Sequence, residues 1–273
     1  MFQKVSPRSN LQSALAILEL IYHSTVRSVR KSHGNAFFAI LNNMLQAIIF
    51  VMAFYLMFWM LGLKGARIRG DFLLYMMSGV FLFLTHIKAL GAVAGAEGPS
   101  SPMMQHAPMN TVISVASAAL GALYVQVLSL FVILFIYHVA FTPFEVSQPF
   151  AAFGMLVLAW FTGVAIGLVL LALKPWFPAV IGIVTIVYQR ANMIASGKMF
   201  VANALPPFML KMFDWNPLFH AIDQCRGFTF ANYFPRNSSL EYPLIVAVVF
   251  LMLGLMGEFY TRQYASRSWD ARR

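Results

Sequence analysis

The chain has 273 residues, of which 60% are hydrophobic and 10% are charged, and its mean hydropathy is +0.73. Soluble domains carry about 25% charged residues, so the composition argues against a soluble globular protein and indicates several membrane crossings. The net charge of +10 is spread along the chain, which favours contact with anionic lipid headgroups over nucleic-acid binding. The single cysteine, Cys225, excludes an intrachain disulfide.

A basic amphipathic segment occupies residues 11–31. Its apolar residues recur three or four positions apart and therefore share one face of a helix. They are Leu11, Leu15, Leu18, Tyr22, Val26 and Val29. Arg27 and Arg30 lie in the C-terminal half of the segment. Because basic amphipathic helices lie in the membrane interface plane, we predict such a helix here; packing against a partner protein is an alternative, and the two are compatible.

The first membrane span follows at once. Residues 32–63 contain no Asp, Glu, Lys or Arg, and basic residues lie on both sides of them. A hydrocarbon core about 30 Å thick requires about 20 apolar residues in helical form. This length predicts a transmembrane helix at 36–61, whereas a buried helix of a soluble protein is the weaker alternative.

Five more apolar stretches predict transmembrane helices at 71–93, 112–137, 151–173, 177–196 and 244–260. Within 151–173, Gly163 and Gly167 form a Gly-x-x-x-Gly pair, which favours close helix packing. The chain is therefore predicted to be an all-α integral membrane protein, a single domain over 1–273 with six transmembrane helices and the N-terminal amphipathic interface helix.

Residues 197–241 are too polar for a simple span, and Pro206-Pro207 and Asn216-Pro217 interrupt them. Irregular backbone is tolerated at membrane depth where protein surrounds it. We therefore predict re-entrant half-helices, or an extracytoplasmic segment, before the last span.

Six crossings place both termini on one side of the membrane. The basic N-terminal segment favours the cytoplasm for that side. The basic loop containing Lys64, Arg67 and Arg69 argues for the opposite orientation, but the first helix usually dominates.

The sequence lacks common motifs for ATP binding, metal-dependent proteolysis and serine-hydrolase catalysis. It contains no Gly-x-x-x-x-Gly-Lys-Ser/Thr, no His-Glu-x-x-His and no Gly-x-Ser-x-Gly. We therefore predict no catalytic residues, no metal site and no cofactor in this chain, and we expect it to form a path or a scaffold.

The polar segment carries a family resemblance. Asn-Pro-Leu-Phe-His at 216–220 is followed by Arg226, and Glu-Tyr-Pro-Leu at 241–244 precedes the last span. Together with the order of the helices, this resembles the type-2 ABC exporter permeases over nearly the whole chain, most of all the inner-membrane permeases of capsular polysaccharide export. Permeases for O-antigen, teichoic acid or small drugs are alternatives within the fold. A membrane-embedded enzyme of polymer assembly and a non-transporting scaffold are alternatives from other classes.

The resemblance implies a homodimer in the inner membrane, with each copy bound to a separate ATPase subunit that holds ATP and Mg. It implies a polysaccharide or glycolipid substrate, and periplasmic and outer-membrane export proteins as further partners, but no nucleic acid. The residues that it places at the ATPase are Arg27, Arg30, Gln105, His106 and Pro108. One departure from the family is Val201 after Phe200, where the family often has proline.

Two cations are candidates for the substrate path. Arg190 lies inside the fifth span, and an intramembrane charge is by default a functional hypothesis. Lys198 follows eight residues later, on roughly the same side of a helix, and both would attract a polyanionic polymer. Alternatively, Arg190 reaches the headgroups or pairs with Asp214.

Aromatic and gate residues complete the candidate site. Flat rings can stack on sugars, although core packing or an interfacial belt is the commoner role. The candidate rings are Phe58, Trp59, Tyr75 and Tyr188. The candidate gate residues, which could equally be helix caps, are Asp214, Trp215, Asn216, Pro217 and Arg226.

Overall fold

The computed structural model describes residues 10–33, 36–60, 62, 70–98 and 110–264. Those residues form nine α-helices and one short 3-10 turn, and they contain no strand. The helices are α1 (Asn10–His33), α2 (Ala36–Met60), α3 (Phe72–Ala94), α4 (Thr111–Ala140), α5 (Pro149–Leu173), α6 (Pro178–Ala195), α7 (Pro207–Phe213), α8 (Pro217–Thr229) and α9 (Glu241–Tyr264). The prediction of an all-α protein is confirmed. Gln105, His106 and Pro108 lie outside the described residues, as does the side chain of Arg30.

Six of these helices are long and apolar enough to cross a membrane. They are α2, α3, α4, α5, α6 and α9, in the order that the hydropathy pattern predicts. The chain is thus a multi-pass membrane protein. Its two shortest α-helices, α7 and α8, lie between the fifth and sixth candidate spans.

Local chemistry sets several helix ends. Asp71 precedes α3, and its Oδ1 accepts a hydrogen bond of 2.8 Å from the backbone N–H of Leu73. Asn110 caps α4 in the same way. Four helices begin with proline, namely α5, α6, α7 and α8. Proline suits a first helical position because its fixed φ is already helical and its missing N–H would have no partner there.

Helix α5 lies at the centre of the bundle, in contact with α3, α8 and α9. The pair Gly163 and Gly167 faces α3: a Cβ at Gly167 would lie 2.8 Å from the carbonyl oxygen of Leu90, and one at Gly163 would overlap the carbonyl of His86. Missing side chains therefore let two helix backbones approach closely.

The other face of α5 receives α9. A Cβ at Gly254 of α9 would lie 2.8 Å from Cγ of Leu168. At one end of this contact, the indole of Trp176 donates to the hydroxyl of Thr261 (2.9 Å), which donates to the carbonyl of Ala172 (2.8 Å). Close packing and a short polar chain thus join two helices that are distant in sequence.

Helix α6 packs only lightly against α3 and α5. Most of its side chains are exposed, including Val180, Ile183, Ile186 and Val187. Helix α1 packs against α4 where Gly121 faces Val29 and Ser28. Along α1, Leu15, Leu18 and Tyr22 remain exposed.

Candidate functional site at the end of α6

The chain turns sharply after α6 into residues 197–200, which we call the clamp loop. Gly197 has φ +74°, and a Cβ there would lie 2.6 Å from the ring of Phe219. Glycine is required at this position for both the left-handed backbone and the close approach of the ring. On its other side the clamp loop reaches α3, where a Cβ at Gly79 would lie 2.9 Å from Cα of Lys198.

Arg226 holds the clamp loop from α8. Its guanidinium donates to the carbonyls of Gly197 (2.9 Å), Phe200 (2.7 Å) and Lys198 (2.7 Å). Arg226 is only 1% exposed, and its Cζ lies 4.2 Å from the centroid of the Tyr75 ring. Three charge-assisted bonds and a ring face replace most of the water that the guanidinium loses on burial; its buried Nε has no hydrogen-bond partner among the described residues. Arg226 therefore has the geometry of a structural clamp.

Lys198 points the opposite way, into an aromatic cage. Its Nζ lies 3.6 Å from the centroid of Phe83 and 5.5 Å from that of Phe54, and it donates to the carbonyl of Met193 (2.6 Å). At 1% exposure, the ammonium is enclosed by protein and available to no solute in this conformation.

Arg190 is exposed on α6. The described residues contain no ion pair between Arg190 and Asp214. The structure therefore does not bring Arg190 and Lys198 together: one cation faces outward and the other lies in the core.

Asn216 joins α8 to α6. Its Oδ1 accepts from the backbone N–H of Leu218 (3.0 Å), and its Nδ2 donates to Oδ1 of Asn192 (2.9 Å) and to the carbonyl of Ala195 (3.0 Å). It is 1% exposed. The single side-chain amide of Asn216 thus both caps α8 and links it to α6. Pro217 occupies the first position of α8.

His220 lies one turn further along α8 and joins three segments. Its Nδ1 accepts from the backbone N–H of Ser239 (2.9 Å), so Nε2 carries the proton that it donates to the carbonyl of Asp214 (2.6 Å). Trp215 is exposed, and its carbonyl accepts from the hydroxyl of Tyr242 (2.7 Å). Sequence reasoning did not assign a role to His220, although it belongs to the Asn-Pro-Leu-Phe-His sequence.

Asp223 was also missed. Its carboxylate accepts from the hydroxyls of Tyr233 (2.5 Å) and Ser238 (2.7 Å). Burial, together with the neighbouring carboxylate of Asp223, raises the pKa of Tyr233 above its usual range. Tyr233 therefore keeps its proton, and its hydroxyl donates a hydrogen bond to the carboxylate of Asp223.

Tyr188 belongs to a different cluster, deeper in the bundle. Nδ1 of the buried His86 lies 3.1 Å from the carbonyl of Ala159 and 3.0 Å from the hydroxyl of Thr162, and Nε2 lies 3.0 Å from the hydroxyl of Tyr188. Because a carbonyl only accepts, Nδ1 carries the proton, and Nε2 accepts from Tyr188. This cluster links α3, α5 and α6 inside the bundle.

The remaining candidate rings lie near the start of α3. Phe58 meets Phe72 edge to face at 5.7 Å, and Phe72 stacks on Tyr75 at 6.1 Å. Trp59 is half exposed. In the described part of the chain, no three His, Cys, Asp or Glu side chains converge as a metal site would require.

Comparison with known proteins adds one relative. No protein-family model matches the chain. The chain is similar to the polysialic acid transport protein KpsM of Escherichia coli, with 23% identity over 189 residues, which make up 68% of this chain and 71% of KpsM. This similarity confirms the resemblance to the capsular polysaccharide export permeases. It favours a transport permease over an enzyme.

Proposed function

We propose that this chain is the membrane-spanning permease subunit of an ATP-driven exporter, which moves a cell-surface polysaccharide of the capsule type across the inner membrane. The support is the similarity to a polysialic acid transport protein, combined with six candidate spans. The ATPase is a separate subunit in this proposal, because the sequence contains no phosphate-binding loop of its own.

Both termini are cytoplasmic in this proposal, and α1 lies in the cytoplasmic interface. The exposed apolar side chains of α1, such as Leu15 and Leu18, support that position, since an interfacial helix buries such a face among lipid chains.

The segment between α6 and α9 is re-entrant in the same proposal. Gly79, which faces the clamp loop, lies seven residues into α3, and seven residues of helix correspond to about 10 Å. The clamp loop therefore lies well inside the bundle, measured from the first residue of α3, Phe72. Its carbonyls are paired with Arg226, as irregular backbone at membrane depth requires.

The observation that carries the proposal of a path is the exposed Arg190. Tyr188, two residues before it, bonds to His86, which lies 14 residues into α3, or about 21 Å along that helix. Arg190 therefore belongs to the hydrocarbon zone, where an exposed guanidinium requires a partner or a wet cavity. A second copy of the chain against α6 would enclose Arg190 in a polar path suited to an acidic polymer.

Export by charge variants tests this path. Arg190→Gln should lower surface polysaccharide several-fold at unchanged protein level, and Arg190→Lys should retain most of it, because the cation persists. Arg236→Gln is the matched control, since Arg236 is exposed in the loop before α9. Normal export by Arg190→Gln at normal abundance would remove Arg190 from the path.

The ATP-driven permease itself is tested by co-purification. A tagged chain should bring down a P-loop ATPase subunit, and membrane vesicles should move polymer only with ATP. A chain that purifies without an ATPase and leaves surface polymer unchanged when deleted would refute the proposed function.

A further inference from the structure

A polar cavity lies nearer the C-terminal end of α3 than the clamp loop does, since it is lined by Lys88 whereas the clamp loop meets Gly79. Its volume is about 490 Å³, and it is lined by residues of α1, α2, α3, α4 and α6. Its polar lining includes Asn42, Asn43, Gln46, Lys88, Gln126 and Gln189. Such a polar concentration is unusual inside apolar spans, where each polar side chain is costly.

The cavity lies near one end of the membrane-spanning helices. Asn42 is six residues from the start of α2, and Lys88 is six residues from the end of α3, which places each about 9 Å from that end. Under the proposed orientation this is the cytoplasmic leaflet. Ser28 and Val29 of α1 form part of the wall, so the cavity adjoins the helix proposed to lie among the headgroups.

Hydrogen bonds hold one wall in place but leave it incomplete. Nδ2 of Asn43 donates to the hydroxyl of Ser129 (3.0 Å), and Nε2 of Gln126 donates to Oδ1 of Asn43 (2.9 Å). Gln126 is only 1% exposed, and its buried Oε1 has no hydrogen-bond partner among the described residues. A buried carbonyl oxygen without a donor is costly, so the site lacks a hydroxyl or N–H group that a ligand would supply.

The charge in the described lining of the cavity is positive only. Lys88 is half-buried, and it is the only charged side chain among the described residues that line the cavity. A lysine at this depth favours an anion, and amide side chains favour hydroxyl groups that both donate and accept. The cavity therefore matches a ligand with one phosphate and several hydroxyls.

We infer that this cavity binds the phosphodiester and polyol head of an anionic lipid from the cytoplasmic leaflet, with Lys88 at the phosphate and Gln126 accepting from a hydroxyl. Two sources share this chemistry: a resident phospholipid such as phosphatidylglycerol, and a lipid-linked sugar. The lipid site stands apart from the proposed function, whereas the second source rests on it.

Lipid-dependent stability tests the site. The protein is placed in phosphatidylcholine nanodiscs with added phosphatidylglycerol or phosphatidylethanolamine, and unfolding is followed by reaction of the buried Cys225 with a thiol dye. Phosphatidylglycerol should raise the unfolding temperature more than phosphatidylethanolamine, whose head lacks the polyol. Lys88→Met and Gln126→Met should remove most of that shift, each measured from its own baseline without added lipid.

Two control variants separate a specific effect at the cavity from a general loss of charge or stability. Lys88→Arg should retain the shift, which separates loss of the cation from general damage. Lys211→Met, an equal loss of charge on the exposed α7, should also retain it. Equal protection by the two phospholipids, or an undiminished shift in Lys88→Met, would overturn the inference.

Export then identifies the source. If Lys88→Met loses both the lipid shift and surface polymer at normal abundance, the substrate's own lipid head uses the site. If it loses the shift alone, the occupant is a resident phospholipid. Because the Arg190 variants test the path without reference to this cavity, failure of the lipid site and failure of the proposed function give different results.

Discussion

Replacing Gly167 with alanine inserts a methyl group between the two central helices. The new Cβ would lie 2.8 Å from the carbonyl oxygen of Leu90 and 3.0 Å from Cβ of Val93, whereas ordinary contacts begin near 3.4 Å. The backbones of α3 and α5 must therefore separate by about half an ångström, because a carbonyl cannot turn aside as a side chain can. Overpacking of this kind costs about 1–3 kcal/mol.

Gly154→Ala is the matched control in the same helix, since nothing lies within 4 Å of its Cβ position. Both variants gain the same helix propensity, about 1 kcal/mol, so the difference between them isolates the steric cost. At about 2–4 °C per kcal/mol for a chain of this size, Gly167→Ala should unfold about 2–12 °C below Gly154→Ala. Gly163→Ala should be at least as damaging, because its Cβ would overlap the carbonyl of His86.

The assay uses the only cysteine, Cys225, which is buried. A thiol-reactive fluorescent dye reports its exposure as the purified protein is heated in detergent. Coincident unfolding of Gly167→Ala and Gly154→Ala would refute the close approach of α3 and α5.

Arg226→Met should leave three carbonyls of the clamp loop unpaired, at about 1–3 kcal/mol each, so that little folded protein accumulates; Arg226→Lys should be intermediate. Membrane abundance measures this, and wild-type levels of Arg226→Met would contradict the clamp. With Cys225→Ser as background, Ser266→Cys should resist an impermeant thiol reagent in intact cells, because the basic N-terminal segment favours cytoplasmic termini; strong labelling would reverse the topology. Replacing Gln105 and His106 with Glu should uncouple ATP hydrolysis from export while sparing insertion. Normal export with a bound ATPase would remove that loop from the interface.

The six spans were predictable because each one carries its signal locally. Membrane insertion requires only length and hydropathy, and the candidate spans, among them Phe72–Ala94 and Pro149–Leu173, satisfy both. Helix starts were also local: Asn216 caps its own helix through Leu218. The close approach at Gly163 and Gly167 was predictable as a tendency, but the partner helix was not, because any span could have filled that groove.

The roles of the cationic residues were not determined by the sequence around them. Lys198 and Arg190 lie eight residues apart, and helical periodicity placed them on one side. The helix ends at Ala195, however, and Gly197 reverses the backbone, so Lys198 turns towards Phe83. Arg226 bonds to residues 26 to 29 positions earlier in the chain, and no sequence spacing encodes such a contact. The role of His86 was likewise not predictable, because its partners come from two other helices.

The pairing of α5 with α9 has a consequence for biogenesis. Leu173 ends α5 and Glu241 begins α9, so 67 residues lie between the two helices. At about 5–20 residues per second, ribosomes synthesise the intervening segment in about 3–13 s. Throughout that interval, the face of α5 around Leu168 and Ala172 lies in the bilayer without the helix that will cover it. Docking of α9 on the central helix is therefore a late step of assembly, and a slow or stalled ribosome between α6 and α9 would postpone it.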